Sequence, residues 1–139
     1  MKDIDTRRKR SLGQSVVEFA LVAPIFLMLL FGLIEGARLV YAYNTVNHAA
    51  QESARFAILA DTSSVSAVRN KAVDAADPLE INTSDVTVQV NNGSTSFGDR
   101  EIGDRLSVSV TYNLVPVVGM VFGATPSFEL TGKTELMVE

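Results

Sequence analysis

A run of 16 residues without a charge, from Phe19 to Ile34, most constrains what this chain can fold into. Counted from Gln14, the apolar stretch is 21 residues long, and Glu18 is its only charged residue. An α-helix rises about 1.5 Å per residue, so this stretch reaches roughly 32 Å, the thickness of the hydrocarbon core of a bilayer. The sequence therefore predicts a helix that can span a membrane.

The charges are sorted along the chain. Residues 1–13 hold five basic and two acidic side chains, a net charge of +3, and residues 14–139 hold seven basic and fourteen acidic side chains, a net charge of −7. A basic cluster next to an apolar run is typical of the cytoplasmic side of a membrane protein. We therefore expect the N-terminus inside the cell and the residues beyond about 36 outside it. Nucleic-acid binding is not expected, because the only basic cluster lies beside the apolar run, where a cytoplasmic membrane anchor explains it better.

The same layout suits a secretory signal peptide, so cleavage after the apolar run has to be considered. The best candidate for a signal-peptidase site is Glu-Gly-Ala at 35–37. There Glu35 would be the third residue before the cut, a position that needs a small neutral side chain. We therefore expect no cut there. Glu35 and Arg38 mark the outer membrane edge and, three residues apart on a helix, can pair. Tyr41 and Tyr43 are either interfacial anchors or ordinary exposed or packed aromatic residues.

The helical pattern continues beyond the membrane edge. Small and apolar residues recur at three- and four-residue steps, namely Leu39, Ala42, Val46, Ala49, Ala50, Ser53 and Ala57. The sequence predicts one helix from about Gln14 to Ala60, which Pro24 is expected to bend or locally open. Gly32 and Gly36 form a G-x-x-x-G pair, which indicates either close helix packing or no more than chance and flexibility.

Two stretches resemble a known family. "GQSVVEFALVAP" from Gly13 is similar to the processing region of TadE-like proteins, minor pilin or pseudopilin subunits of the tight-adherence (type IVc) pilus. "RLVYAYNTVNHAAQESARFA" from Arg38 resembles the family's stretch after the membrane, although Ser53 stands where glycine is common. The resemblance implies that a prepilin peptidase cuts after Gly13, which makes Gln14 the new N-terminus. Glu18 and Phe19 are then the fifth and sixth residues, as in the family.

This resemblance gives the carboxylate of Glu18 a physical use. Cleavage would leave a charged α-amino group at Gln14, one helical turn from Glu18. A charge in an apolar environment is tolerated when it is paired, so we expect Glu18 to neutralise that amine, on its own helix or on a neighbouring subunit. Glu18 would then set the register of assembly. The alternative is that Glu18 only reaches out to the cytoplasmic interface.

The rest of the chain predicts a small α+β head. Ser63 or Ser64 can cap a short second helix that Pro78 ends, and three alternating segments around 85–91, 105–114 and 127–138 predict strands. The side chains predicted to point inward are Val86, Val88, Val90, Leu106, Val108, Val110, Tyr112, Leu114, Phe128, Leu130, Leu136 and Val138. The serine, threonine and asparagine side chains of the second strand are expected to point outward. A three-stranded antiparallel sheet needs a cover, which the amphipathic half of the long helix supplies. The resulting shape is a pilin-like lollipop.

Two connecting segments differ in character. Residues 91–104 are polar and contain glycine, which is typical of a turn or a mobile loop. We interpret their carboxylates, Asp99, Glu101 and Asp104, as a solvated cluster. The alternative is a calcium site, but this segment does not contain the full set of spaced ligands that such a site uses. Residues 115–126 are mostly apolar, so this segment dips into the membrane, packs on a neighbouring subunit or adds to the core.

The sequence does not predict an enzyme, a cofactor or a metal site. There is no cysteine, and the single histidine, His48, lies in a helical segment without a catalytic constellation around it. We interpret His48 as a solvated or interfacial helix residue.

The predicted organisation is a basic cytoplasmic leader (1–13), a transmembrane and assembly helix (14–36) and an extracytoplasmic head (37–139). The resemblance implies a structural subunit whose partners are a prepilin peptidase, other pilin subunits, the inner-membrane assembly platform and the lipid bilayer. Major subunits of this class are little more than the helix, so the head indicates a minor, initiating or tip component, and the alternative is a shaft subunit of a heavier pilus. The alternative from another class is an uncleaved, signal-anchored membrane protein whose head binds a partner or polymer outside the membrane. A weaker alternative is an extracytoplasmic sensor or an accessory domain of an enzyme.

Overall fold

The computed structural model describes residues 3–60, 64–117, 119, 123 and 126–139, with side chains from residue 13 onward. The chain divides into two compact units, Met1–Ala37 and Arg38–Glu139, and we call the second unit the head. The elements are helix α1 (Asp3–Leu59), helix α2 (Val65–Ala75) and strands β1 (Val86–Val90), β2 (Arg105–Leu114) and β3 (Phe128–Met137). This confirms the predicted α+β fold.

Helix α1 is longer than predicted at its N-terminal end. It begins at Asp3 instead of near Gln14, and it ends at Leu59, one residue before the predicted end. Residues 3–12 contain arginine, lysine and leucine, which favour helix, and no proline, so the leader has no local reason to stop the helix. The helix also continues through Pro24. The predicted bend or local opening of the helix at this proline stays a prediction.

Helix α2 begins at a serine cap, as predicted. The Ser64 hydroxyl accepts a hydrogen bond from the backbone N–H of Ala67 at 3.4 Å, which satisfies one of the free amides of the first turn. The other candidate cap, Ser63, lies outside the described residues. Lys71 on this helix forms an ion pair with Glu52 on α1 at 3.3 Å, within the head.

The three strands form one antiparallel sheet in the order β1-β2-β3. Val110 of β2 pairs with Val86 of β1 on one side and with Gly132 of β3 on the other. Because side chains alternate along a strand, every second residue of β2 shares one face of the sheet with Val110. The buried side chains of this face, Val86, Val90, Leu106, Val108 and Val110, belong to the core of the head. The predicted strand pattern is therefore confirmed at the centre of the sheet.

The head's part of α1 covers that apolar face. The predicted stripe is buried at Ala42, Val46, Ala49, Ala50, Ser53 and Ala57, while Leu39 at its start is exposed. Ser53 is the one hydroxyl in the stripe, and it donates hydrogen bonds to the carbonyl oxygens of Ala49 at 2.6 Å and Ala50 at 3.2 Å. Because these bonds stay within the helix, the buried hydroxyl needs no partner on the sheet.

Gly132 marks the place where β3 and α1 touch backbone to backbone. A β-carbon at this position would lie 2.5 Å from the carbonyl carbon and oxygen of Val46 and 2.7 Å from the nitrogen of Asn47. Real contacts of that length do not occur, so the helix can lie this close only because residue 132 has no side chain. The small residues of α1 and the glycine of β3 together set the distance between helix and sheet.

Two predicted orientations at the sheet differ in the structure. Ser107 of β2, expected to face outward in water, is buried, because this short side chain lies on the central strand between Gln89 and Glu135, its longer register partners. Phe128, predicted to face the core, is half exposed at the first position of β3. Leu130, Leu136 and Val138 pack partly buried against the core, as their alternation predicted.

The loop between β1 and β2 is held together by Asn91. The Asn91 side-chain amide donates to Thr95 Oγ1 at 3.2 Å and to Asp104 Oδ1 at 2.7 Å, and its oxygen accepts from the N–H of Arg105 at 3.0 Å. The other carboxylate oxygen of Asp104 accepts from the N–H of Glu101 at 2.9 Å. These two hydrogen bonds lower the pKa of Asp104 below its ordinary value. Among the carboxylates of the predicted solvated cluster, that of Asp104 therefore forms hydrogen bonds within the loop.

We expect Asn91→Ala to weaken this loop and Asn91→Gly to weaken it less. Residue 91 has a φ of 48°, which glycine tolerates and alanine does not, and both variants lose the side-chain hydrogen bonds. The unfolding free energy is expected to fall by roughly 1–3 kcal/mol in Asn91→Ala, measured by amide hydrogen exchange of β2. Equal exchange in the wild type and both variants would contradict the role of Asn91.

The hydrogen bonds of Asp104 in this loop are expected to make the stability of the head fall at acid pH. Because the pKa of Asp104 is lower in the folded chain, its carboxylate stabilises the fold above its ordinary pKa of 3.8, and that contribution is lost as the pH falls from there through the lowered pKa of the folded chain. In Asn91→Ala, the carboxylate keeps only the Glu101 hydrogen bond, so the pKa of Asp104 is expected to rise towards its ordinary value. An NMR titration of the Asp104 carboxyl carbon measures this shift.

The apolar segment 115–126 is described only in part. Residues 118, 120–122, 124 and 125 lie outside the described residues, so the three predicted placements of the segment stay open. At its two described ends, Val115 and Val117 are exposed, and Pro116 between them is buried.

Candidate functional site

The candidate processing and assembly site lies on the first unit of α1. Gly13 and Gln14, the residues on either side of the predicted cut, are both helical and exposed. A β-carbon at Gly13 would meet no described atom within 4 Å beyond its chain neighbours and the adjoining turns of its own helix backbone. The described residues therefore leave this peptide bond open to another molecule, although a bound protease would need to unwind the helix locally.

Gln14 and Glu18 are brought together by the helix. The Gln14 side-chain amide, Nε2, donates a hydrogen bond to Glu18 Oε1 at 3.1 Å. Residues four apart lie on the same face of a helix, one turn from each other, so this contact follows from the spacing. The backbone nitrogen that would become the α-amine after a cut is that of Gln14 itself. The carboxylate thus already faces the residue that it is predicted to neutralise.

Sequence reasoning named Gln14 as the new N-terminus but did not predict that its side chain would bind Glu18. The signal for it was present, because a glutamine four residues before a carboxylate on a helix is a known stabilising pair. In lipid, an isolated carboxylate is costly, and a hydrogen bond from a neutral amide satisfies one of its oxygens without adding charge. Gln14 is therefore a partner of Glu18 in the full-length chain.

The helix around these residues presents apolar side chains all round. Phe19 is 72% exposed, and the other large apolar residues from Val16 to Ile34 are exposed as well. Among the described residues, α1 contains one stretch that is long and apolar enough to cross a membrane. Apolar surface of this extent is unfavourable in water, so lipid or other helices have to cover it.

The predicted packing glycines lie on this open surface. A β-carbon at Gly32 or Gly36 would meet no described atom within 4 Å beyond its chain neighbours and the adjoining turns of its own helix backbone. Within this one chain, the G-x-x-x-G pair therefore has no close neighbour among the described residues. Its predicted role, contact with a helix of another molecule, stays a prediction.

The residues of the predicted membrane edge all lie on helix α1. Glu35 and Arg38 are each partly buried, and their pairing with each other stays a prediction. Tyr41 and Tyr43 are exposed on α1, each over about half of its surface. His48 is also exposed.

The segment that holds these residues matches a known family. No curated protein and no solved structure shows a significant match to the chain. The model of the family described as TadE-like protein matches residues 13–55, from the glycine before the predicted cut to Arg55 in the head. This confirms the resemblance that the sequence shows, over the segment that carries the candidate site. Residues 13–55 are therefore similar to the family of TadE-like proteins.

Proposed function

We propose that this chain is a prepilin-like structural subunit, a minor pilin or pseudopilin of a type IVc (Tad) pilus. The match to the TadE-like family suggests a membrane protein associated with a Tad pilus. The observation that carries the finer proposal is the spacing of Gly13, Glu18 and Phe19 at the start of an exposed apolar helix. A prepilin peptidase would cut after Gly13 and leave Gln14 as the first residue.

Before the cut, the chain would sit in the inner membrane as a single-pass protein. The basic residues of 1–13 favour a cytoplasmic N-terminus, and the head would lie outside the membrane. The exposed apolar surface of α1 supports this placement, because lipid would cover it. After the cut, the same surface would pack against the helices of other subunits on the assembly platform.

Assembly would use the charge at Glu18. The new α-amine of Gln14 is positive at neutral pH, and a neighbouring subunit's Glu18 could replace the water that solvates it. The Gln14 side chain donates to one oxygen of Glu18 at 3.1 Å, and in this proposal the other carboxylate oxygen binds such an amine. In this proposal the chain has no catalytic role, and its residues recognise and pack.

The test is the N-terminus of the product. The full chain is co-expressed with a prepilin peptidase, extracted from the membrane, and examined by intact mass and N-terminal sequencing. We expect a product that begins with Gln14. A chain that still begins with Met1, beside a peptidase that processes another substrate, would contradict the proposal and favour the uncleaved, signal-anchored protein.

The matched variant is Gly13→Leu. A leucine fits the helix at this position, because a β-carbon there would meet no described atom within 4 Å beyond the adjoining turns of the helix, so the fold is expected to be unchanged. A branched side chain next to the scissile bond would exclude the peptide from the protease, and full-length protein would accumulate in the membrane. Processing of Gly13→Leu to the wild-type mass would show that the cut lies elsewhere.

A further inference from the structure

One asparagine in the loop between β1 and β2 is followed directly by glycine. Asn92 and Gly93 form the only Asn-Gly pair of the sequence, and both residues are exposed on the head. Glycine has no β-carbon, so nothing shields its backbone nitrogen from the side chain of the residue before it. A pair of this kind can lose ammonia from the asparagine without an enzyme.

The reaction closes a ring between the side chain and the backbone. The backbone nitrogen of Gly93 attacks the side-chain carbonyl carbon of Asn92 and gives its proton to water. The side-chain amide takes up a proton and leaves as ammonia, so one C–N bond forms and one breaks. Water then opens the resulting succinimide at either carbonyl, which leaves aspartate or isoaspartate at residue 92. Nothing is oxidised or reduced, and water is the co-reactant.

The closed loop holds Asn92 in a conformation that does not allow this attack. Its backbone has a φ of 56° and a ψ of 32°. Ring closure needs the β-carbon and the nitrogen of Gly93 on the same side of the Cα–C bond, which in an L-residue requires a ψ of about −120°. At a ψ of 32° the two atoms lie on opposite sides of that bond. The ring therefore cannot form until this bond rotates.

Hydrogen bonds on both sides of the Asn-Gly pair oppose that rotation. On the N-terminal side, the Asn91 side-chain amide donates to Asp104 Oδ1 at 2.7 Å. On the C-terminal side, the N–H of Thr95 donates to the carbonyl oxygen of Val90 at 3.4 Å, and the Thr95 hydroxyl accepts from the Asn91 amide at 3.2 Å. Both ends of the turn are thus tied to β1 or to Asp104, so rotation at residue 92 requires the loop to open.

We propose that Asn92 deamidates spontaneously and that the hydrogen bonds of Asn91 restrict the reaction to the moments when the loop is open. The inference does not rest on the proposed function, because it uses contacts within the head alone. Isoaspartate would add a carbon atom to the backbone of the turn. Aspartate would add a charge to a loop that already holds Asp99, Glu101 and Asp104. A transient opening of the loop would thereby leave a permanent change in it.

The test compares the deamidation rate of the folded head with that of the unfolded chain. The full chain is kept in mild detergent at neutral pH, with and without guanidinium chloride, and sampled over weeks. Peptide mapping by mass spectrometry measures the exchange of ammonia for water at residue 92, and electron-transfer fragmentation distinguishes isoaspartate from aspartate. Asn82 is the internal control, because it is also exposed but is followed by Thr83, whose branched side chain shields the next nitrogen.

Variants of Asn91 change the opening of the loop and leave the reacting pair intact. Each rate in the folded chain is divided by the rate of the same variant in guanidinium chloride, which removes any effect on the chemistry itself. We expect this ratio to be lowest in the wild type, several-fold higher in Asn91→Gly and highest in Asn91→Ala. Both variants lose the side-chain hydrogen bonds, and alanine is in addition strained at the φ of 48° that residue 91 adopts.

A variant of the glycine identifies the attacking atom. In guanidinium chloride, Gly93→Ala is expected to slow the loss of ammonia at Asn92 several-fold, because the new β-carbon hinders the approach of the backbone nitrogen. The comparison is made in the unfolded chain, so the strain of alanine at the φ of 87° of residue 93 does not affect it. An unchanged rate would mean that this nitrogen is not the nucleophile.

Three further results would overturn the inference. If Asn92 keeps its ammonia in guanidinium chloride, it is not a deamidation site. If the wild-type rate is the same in the folded and the unfolded chain, the closed loop gives no protection. If the normalised rates of the wild type, Asn91→Gly and Asn91→Ala are equal, the hydrogen bonds of Asn91 do not control the reaction.

Discussion

Gly132→Ala is expected to destabilise the head more than any other single-methyl addition in the sheet. The new methyl group would lie 2.5 Å from the Val46 carbonyl carbon and oxygen and 2.7 Å from the Asn47 nitrogen. All three atoms are backbone, so no side chain can rotate away, and the helix as a whole has to move off the sheet. Overpacking of a core costs typically 1–3 kcal/mol, and we expect a loss at or above the upper end, about 3 kcal/mol.

The measurement is the hydrogen exchange of the central strand β2, followed in the full chain in mild detergent. Gly98→Ala is the matched control, because a β-carbon at Gly98 would meet nothing within 4 Å and its φ is not positive. We expect the opening free energy of β2 to fall in Gly132→Ala and to stay within about 0.5 kcal/mol of the wild type in Gly98→Ala. Equal values for the two variants would mean that the helix does not lie against Gly132 in solution.

This contact also shows where reasoning from the sequence stops. The alternation of Leu106, Val108 and Val110 with polar residues predicted a strand and its core face, since a period of two leaves few other solutions. The stripe from Ala42 to Ala57 predicted the helix face in the same way. Neither pattern states which residue of the strand meets which residue of the helix, because that depends on how the two elements cross.

A glycine inside a strand gives a partial signal for such a contact. Gly132 lies among Thr131, Lys133 and other residues that favour strands, and an interior glycine often marks a close approach of another backbone. The same reasoning fails for Ser107, which alternates as an outward residue but is buried between longer neighbours. The identity of those neighbours depends on the register, and the register is a property of the folded sheet.

The candidate site was predictable because its residues are close in sequence. Gly13, Glu18 and Phe19 lie within two turns of one helix, so their spacing already fixes their arrangement on its surface. The hydrogen bond from Gln14 to Glu18 is local in the same sense, although only the structure singles it out. The contact of β3 with α1, in contrast, joins residues that are more than eighty positions apart in the chain, so their spacing in the sequence does not fix it.

Glu18→Ala is expected to leave processing intact and to abolish incorporation into the fibre. The peptidase would read Gly13, whose surroundings the substitution does not touch, so the product still begins with Gln14. In the assembled helix bundle, however, the α-amine of the neighbouring subunit would lose its partner. Removing one member of a buried ion pair costs about 3–5 kcal/mol, which corresponds to a fall of roughly two to four orders of magnitude in incorporation.

Two further variants separate charge from hydrogen bonding. Glu18→Gln keeps a side chain of the same shape that can still accept from the Gln14 amide, but it cannot neutralise an amine. Gln14→Ala removes the amide and keeps both the carboxylate and the α-amine. If charge pairing governs assembly, Glu18→Gln fails to incorporate and Gln14→Ala incorporates, as measured by quantitative immunoblotting of sheared fibres against processed protein in the membrane.

The opposite pattern would assign a different role to the carboxylate. Incorporation of Glu18→Gln at the wild-type level would mean that shape and hydrogen bonding suffice at this position, and the charge-pairing mechanism would be wrong. Loss of processing in Glu18→Ala would instead place Glu18 in the recognition of the peptidase. Because the mass of the membrane fraction reports processing and the sheared fraction reports assembly, one preparation of each variant distinguishes the two steps.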